Sequence, residues 1–164
     1  MVAKKGNSVA SAVTTNILPK VQPQRVRDIK SGETQRIDVG ESEVNRVLGG
    51  GLVPGSVIRL GGEPGVGKST LALQLALSKN GLRTLYVSGE ESAEQIKMRA
   101  ERIGIKNEEC VIYTETLLEN IIAQCEDIQP DMIVVDSIQT IYTDLVDSSA
   151  GSVTQIRECA ATLL

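Results

Sequence analysis

The residues Gly62-Glu63-Pro64-Gly65-Val66-Gly67-Lys68-Ser69, followed by Thr70, have the types and spacing to hold phosphate. They fit G-x-x-x-x-G-K-[ST], the P-loop pattern. Such a loop turns its backbone N–H groups inward around phosphate oxygens. That requires residues that accept unusual φ values and close approach, which Gly62, Gly65 and Gly67 provide. Lys68 then reaches the β- and γ-phosphates, and the Ser69 hydroxyl faces Mg²⁺. The ligands this chemistry implies are ATP or ADP with Mg²⁺.

Two further stretches supply carboxylates. Met132-Ile133-Val134-Val135-Asp136 is four apolar residues ending in an aspartate, the Walker B pattern. A buried parallel strand delivers such a carboxylate at its C-terminal end, where ligands sit in open α/β sheets. Asp136 is therefore expected to hold Mg²⁺ directly or through water, with Ser137 as an adjacent polar group. Glu90 and Glu91 follow the apolar run Thr84–Ser88. A carboxylate there can orient, or take a proton from, a water attacking the γ-phosphate. Glu90 is the first candidate. Glu91 is open to that role, to a supporting one, or to serving as the acidic first-turn residue that a helix dipole favours.

These groups need strands and helices to place them. Ser56-Val57-Ile58-Arg59-Leu60 reads as the strand entering the P-loop, and Thr70 to Ala76 as the helix leaving it, with an anion-favouring N-terminus. Thr84–Ser88 reads as a buried strand, and Ser92 to Ile103 as a helix whose Ala93, Ile96, Ala100 and Ile103 recur at helical spacing. Val111–Thr114 is a short strand, Leu117 to Cys125 a helix, and Met132–Asp136 a strand. A polar loop spans Tyr142 to Gly151. Ser152 with Gln155 then forms a capping-box pattern at the head of a last helix. Upstream, Arg36 to Val39 suits a short strand. Glu41 to Leu48 suits a short helix with Val44, Val47 and Leu48 on one face, stopped by Gly49-Gly50-Gly51. The alternation predicts an α/β fold, a parallel sheet with helices on both faces. The sequence stops within its last helical pattern, where a further strand is expected, so the expectation is a P-loop NTPase core truncated at its C-terminus.

Composition bounds the alternatives. The 164 residues suit one domain, with residues 1–25, rich in Ser, Thr, Pro and Lys, as a flexible basic leader and 26–164 as the ATPase domain. No His is present, so His catalysis and His metal ligation are excluded, and base stacking could use only Tyr86, Tyr113 and Tyr142. Cys110, Cys125 and Cys159 are far apart with no C-x-x-C, which predicts reduced thiols and no zinc site. No apolar run approaches the roughly 18 residues a membrane span needs, and no signal-peptide pattern follows the first lysines; the expected location is the cytoplasm. Residues 1–36 carry +5, leaving −9 on the rest of a chain of net charge −4. A basic arm of that kind is either a solvated tail or a contact to nucleic acid.

Taken together, these motifs resemble a known family. Leu48-Gly-Gly-Gly-Leu-Val-Pro-Gly55, Gly61-Gly-Glu-Pro-Gly-Val-Gly-Lys-Ser69, Tyr86-Val-Ser-Gly-Glu-Glu-Ser92 and Gln95-Ile-Lys-Met-Arg-Ala-Glu-Arg102 are similar to stretches of the bacterial RadA (Sms) DNA repair proteins. So are Asp136-Ser-Ile-Gln-Thr140 and Gly151-Ser-Val-Thr-Gln-Ile-Arg-Glu-Cys-Ala160. The resemblance covers about Val26 to Leu164. It implies a RecA-like ATPase core, a homo-oligomeric (hexameric) ring, and an ATP-driven motor on single-stranded or branched DNA in recombination. It carries over Gly62, Gly65, Gly67, Lys68 and Ser69 for phosphate and Mg²⁺, Glu90 for water and Asp136 for metal. The chain departs from the family plan in lacking the paired cysteines of a zinc finger, the Lys-Asn-Arg-Phe-Gly motif and a Lon-like domain. The Tyr142–Gly151 loop falls where RecA-like proteins place a DNA-contacting loop, yet it holds Asp144 and Asp147 and no Lys or Arg. Two other readings are a nucleotide-binding module with little turnover and a RecA-like ATPase acting on protein, like the circadian-clock kinases, which share a Glu-Glu pair.

Overall fold

The computed structural model describes residues 23–29, 32 and 35–164. The chain divides into two units, 1–34 and 35–164. In the first, the described residues form one exposed 3₁₀ turn, Val26–Asp28. The leader read over residues 1–25 lies, apart from 23–25, outside the described residues.

The second unit runs α1 (Ser42–Val47), α2 (Lys68–Ser78), β1 (Thr84–Ser88), α3 (Ala93–Ile103), β2 (Cys110–Thr114), α4 (Leu118–Ile128), β3 (Met132–Asp136) and α5 (Val153–Thr162). The strands form a parallel sheet in the order β2-β1-β3. Parallel neighbours need a crossover, and α3 and α4 supply it. All five residues of β1 are buried, as expected of a central strand covered on both faces. Its side chains alternate between two cores. Tyr86 joins Leu73, Ala76 and Leu77 of α2 with Ile96 and Ala100 of α3. Leu85 and Val87 join Leu118 and Ile121 of α4, Ile141, and Cys159 of α5. Helices therefore cover both faces, as the alternation predicts. Among the described residues no helix is long and apolar enough to cross a membrane.

Local chemistry explains where the helices begin. At α3, Ser92 Oγ accepts from the Gln95 N–H at 3.4 Å and Gln95 Oε1 accepts from the Ser92 N–H at 3.0 Å. This is a complete capping box, of the type worth about 1 kcal/mol. The helix stops at Gly104, φ 92°. Buried Asn107 holds α2 beside β1, its Nδ2 donating to Ala76 O at 3.0 Å and Leu82 O at 2.7 Å. Upstream, Ile37 and Leu52 exchange backbone hydrogen bonds in a single bridge where Arg36 to Val39 had suggested a strand. Gly51 makes that bridge possible: its φ is 128°, and a Cβ there would collide with the Ile37 carbonyl oxygen.

Three expectations are corrected. Ser56–Leu60 forms no strand; among the described residues no backbone hydrogen bond joins Val57 to Leu60 to a neighbour, and Val57, Ile58 and Leu60 are exposed. Apolar content suits a strand, but a strand exists only through a ladder, and pattern alone does not register the partner. In α1, Val47 is exposed and Val44 and Leu48 are only half-buried, so the apolar face read there is not packed into a core. At α5, Ser152 Oγ accepts from the Gln155 N–H at 3.2 Å, but the Gln155 side chain does not return to the cap. It reaches instead into the Tyr142–Gly151 loop, accepting from the Thr143 N–H at 3.0 Å. Its Nε2 lies 3.0 Å from the carbonyls of Thr143, Val146 and Ser148.

Gln155 is buried, so its amide organises the loop from within. Truncation strands the buried Thr143 carbonyl and the part-buried carbonyls of Val146 and Ser148. Gln155→Ala should cost about 2 kcal/mol in urea unfolding, on the scale of unpaired buried polar groups. The Thr143 amide should also lose its protection from hydrogen exchange.

Candidate nucleotide-binding site

Three C-terminal strand ends meet at the site because the register aligns them. Ser88 of β1 lies opposite Thr114 of β2 and Asp136 of β3. Helix α2 packs over the same face through Leu73 and Ala76, which brings its first residues to Asp136. The loop ahead of α2 uses its glycines unequally. Gly65 (φ 82°) and Gly67 (φ 95°) sit in left-handed backbone, Gly67 as the helix N-cap. Gly62 does not; there a Cβ would press on Val66 Cγ2 at 3.2 Å, so its requirement is space. Helix α2 starts at Lys68, two residues before Thr70, so Lys68, Ser69 and Thr70 form its first turn with unpaired N–H groups facing out of the helix end. Those amides and the helix dipole favour an anion.

Lys68 Nζ donates to Gly62 O at 2.9 Å and Glu63 O at 2.8 Å, which folds the ammonium across its own loop. Glu63, Pro64, Val66 and Thr70 are exposed around it. Ser69 Oγ donates to Asp136 Oδ1 at 3.1 Å, joining residues 67 apart in sequence. The other carboxylate oxygen accepts from the Tyr86 hydroxyl at 2.7 Å. Burial first, and then Asp136, push the Tyr86 phenol far above its ordinary range, so it stays a donor. Among the described residues, His, Cys, Asp and Glu nowhere gather in a group of three or more that could hold a metal. Asp136 and Ser69 could offer a cation one carboxylate and one hydroxyl. That donor set fits Mg²⁺, which keeps several waters and takes one or two carboxylates beside substrate phosphates.

The two glutamates separate cleanly. Glu90 is exposed and its Oε1 accepts from Ser137 Oγ at 2.7 Å, which ties it to the residue following Asp136. Glu91 pairs with Arg99 of α3. In that pair Glu91 Oε2 and Arg99 Nη1 are buried with no hydrogen-bond partner among the described residues. A cleft of about 180 Å³ opens beside Glu90, lined by Ser88, Gly89, Thr114 and Thr116 among others.

Three residues escaped the sequence reading. Tyr86 stood there only as a possible base-stacking aromatic; it is fully buried and unavailable for that. Gly89 packs so closely that a Cβ would collide with Thr140 Oγ1 and lie 2.8 Å from Thr116 Cγ2. No positive φ marks it, and the clash needs the fold to be seen. Arg99 lay at i+8 from Glu91, too far apart in sequence for a helix-spacing rule to join them.

The chain matches the family described as AAA domain over residues 22–163. It is 48% identical over 141 residues to the DNA repair protein RadA of Listeria monocytogenes, covering 85% of this chain and 31% of that protein. To the DNA repair protein RadA of Streptococcus pneumoniae it is 47% identical over 146 residues, 88% of this chain and 35% of that protein. To that of Bacillus subtilis it is 42% identical over 166 residues, 100% and 36%. The chain thus spans about a third of the length of these relatives. With the P-loop at the head of α2, the β3 aspartate beside it and a family match over nearly the whole sequence, this chain belongs to the AAA domain family, with a RecA-like P-loop NTPase core similar to that of the RadA proteins.

Proposed function

We propose that this chain is the ATP-binding and ATP-hydrolysing core of a DNA-dependent ATPase in recombinational DNA repair. The observation that carries the reading is the Ser69–Asp136 hydrogen bond, which links the P-loop helix to the β3 carboxylate. In this reading the amides of Gly65 to Thr70 bind phosphate oxygens, and Lys68 exchanges its loop carbonyls for β- and γ-phosphate oxygens. Ser69 and Asp136 hold Mg²⁺, which when bound neutralises the charge developing between the phosphates. Glu90 orients the attacking water. Its hydrogen bond to Ser137 supports it over Glu91, whose Oε1 is held by Arg99.

The DNA side of the reading draws on the RadA relatives, each named a DNA repair protein, and on charge. The partner is single-stranded or branched DNA, engaged by a homo-oligomeric ring in the cytoplasm. The Tyr142–Gly151 loop presents Asp144, Asp147 and an exposed Leu145, which does not suit phosphates. The +5 stretch over residues 1–36 is the better electrostatic match for a DNA backbone. A second reading, nucleotide binding with little turnover, is favoured by one observation: Ser56–Leu60, which leads into the P-loop, has no ladder among the described residues to brace it.

Lys68→Ala should weaken Mg·ADP binding by at least about 2 kcal/mol, the scale of a charged hydrogen bond. Calorimetry on the wild-type and variant chains checks this, and equal affinities would remove Lys68 from the site. Glu90→Gln should keep ATP affinity while turnover falls about a hundredfold, since shape survives and the charge does not. Glu91→Gln should retain most of the turnover; the reverse pattern assigns the water to Glu91. Single-stranded DNA should raise the wild-type rate, and less so as salt increases. ATP affinity without any turnover, with DNA or without, would favour the second reading.

A further inference from the structure

Asp136 holds two hydrogen-bond donors, one on each oxygen, and only one of them comes from the P-loop helix. The other, Tyr86, stands in the middle of the central strand. Its ring is walled in by Leu73 and Ala76 of α2 and Ile96 and Ala100 of α3, and none of it reaches solvent. Packing therefore fixes the ring and leaves only the O–H torsion free. The parallel register puts Tyr86 opposite Val134 and Ser88 opposite Asp136, so the phenol and the carboxylate share one sheet face two residues apart. An aspartate carboxylate turns about a broad, two-fold χ2 torsion. One donor leaves that torsion loose. Two donors on opposite oxygens, one from a helix and one from a strand, set its plane.

We propose that Tyr86 is a positioning residue for Asp136, holding Oδ2 so that Oδ1, shared with Ser69, is presented to the Mg²⁺ of a bound nucleotide. The inference rests on the reading of Asp136 as the carboxylate that serves Mg·nucleotide. A tyrosine that merely satisfied its buried hydroxyl would affect stability and nothing else. A positioning tyrosine sets how much affinity Mg²⁺ adds. Partners of this kind behind a metal-binding carboxylate are typically worth 10–100-fold in metal affinity.

Calorimetry of ADP with Mg²⁺ and in EDTA, on wild type, Tyr86→Phe and Asp136→Asn, separates the cases. Tyr86→Phe keeps the ring and removes only the donor. Its EDTA affinity should stay within about twofold of wild type, while its Mg²⁺ affinity falls about tenfold. An unchanged Mg²⁺ arm in Tyr86→Phe, with a weakened one in Asp136→Asn, overturns the inference and leaves the site reading intact. An unchanged Mg²⁺ arm in Asp136→Asn overturns both. Where Tyr86→Phe melts below the assay temperature, wild-type emission decides. The chain has three tyrosines and no tryptophan, and a phenol bonded to a carboxylate is quenched by it. Emission should stay quenched through Mg²⁺ saturation at saturating ADP, because Tyr86 keeps Oδ2 while Oδ1 faces the cation, and should rise in Asp136→Asn. Emission that rises with Mg²⁺ occupancy toward that of Asp136→Asn overturns the proposal.

Discussion

The structure depends on the parallel pairing of β1 with β3. That register sets Ser88 against Asp136 and carries Tyr86 to the same face, two residues back. A carboxylate at a strand end would ordinarily turn toward water. Here Ser69 of α2 and Tyr86 of β1 claim its two oxygens, so helix, central strand and β3 converge on one side chain. The apolar packing of Leu73, Ala76 and Tyr86 is what allows this. It holds α2 against the sheet, and Asn107 adds a polar clip between the end of that helix and the start of β1. A one-residue slip of β3 would turn Asp136 to the opposite face and dissolve the site.

Much of this was legible in the sequence where the signal is local. β1 and β3 appear over the expected residues because a buried parallel strand is a short apolar run, and Thr84–Ser88 and Met132–Asp136 are such runs. Helix α3 appears because Ala93, Ile96, Ala100 and Ile103 mark a helical period and Ser92 caps it. What was not legible depends on partners distant in sequence. Ser56–Leu60 has the composition of a strand but, among the described residues, no ladder. Gln155 stood in capping-box position, but its amide bonds a loop up to twelve residues away. Ser92 and Gln95 have the same spacing and close the box, so spacing alone does not say which glutamine turns back.

The site itself divides the same way. The P-loop pattern could be read because it sits in consecutive residues, and the place of Asp136 because it ends the apolar run that forms β3. The different surroundings of Glu90 and Glu91 show only in the fold, since adjacent residues after a strand leave in different directions. Ser137 takes one and Arg99 the other. The contacts of Tyr86 and Gly89 were not legible for a related reason: the first depends on its hydroxyl's reach to another strand, the second on the space Thr140 leaves it.

The central claim is that the P-loop and the ends of β1 and β3 form one nucleotide site. Amide hydrogen exchange with and without Mg·ADP tests it most directly, because a ligand that binds only the folded state slows opening wherever it couples. The account predicts joint added protection over residues 62–70, at the end of β1 near Ser88 to Glu90, and at Asp136 and Ser137, with α5 little changed. Protection confined to residues 62–70, or none there at all, would contradict it.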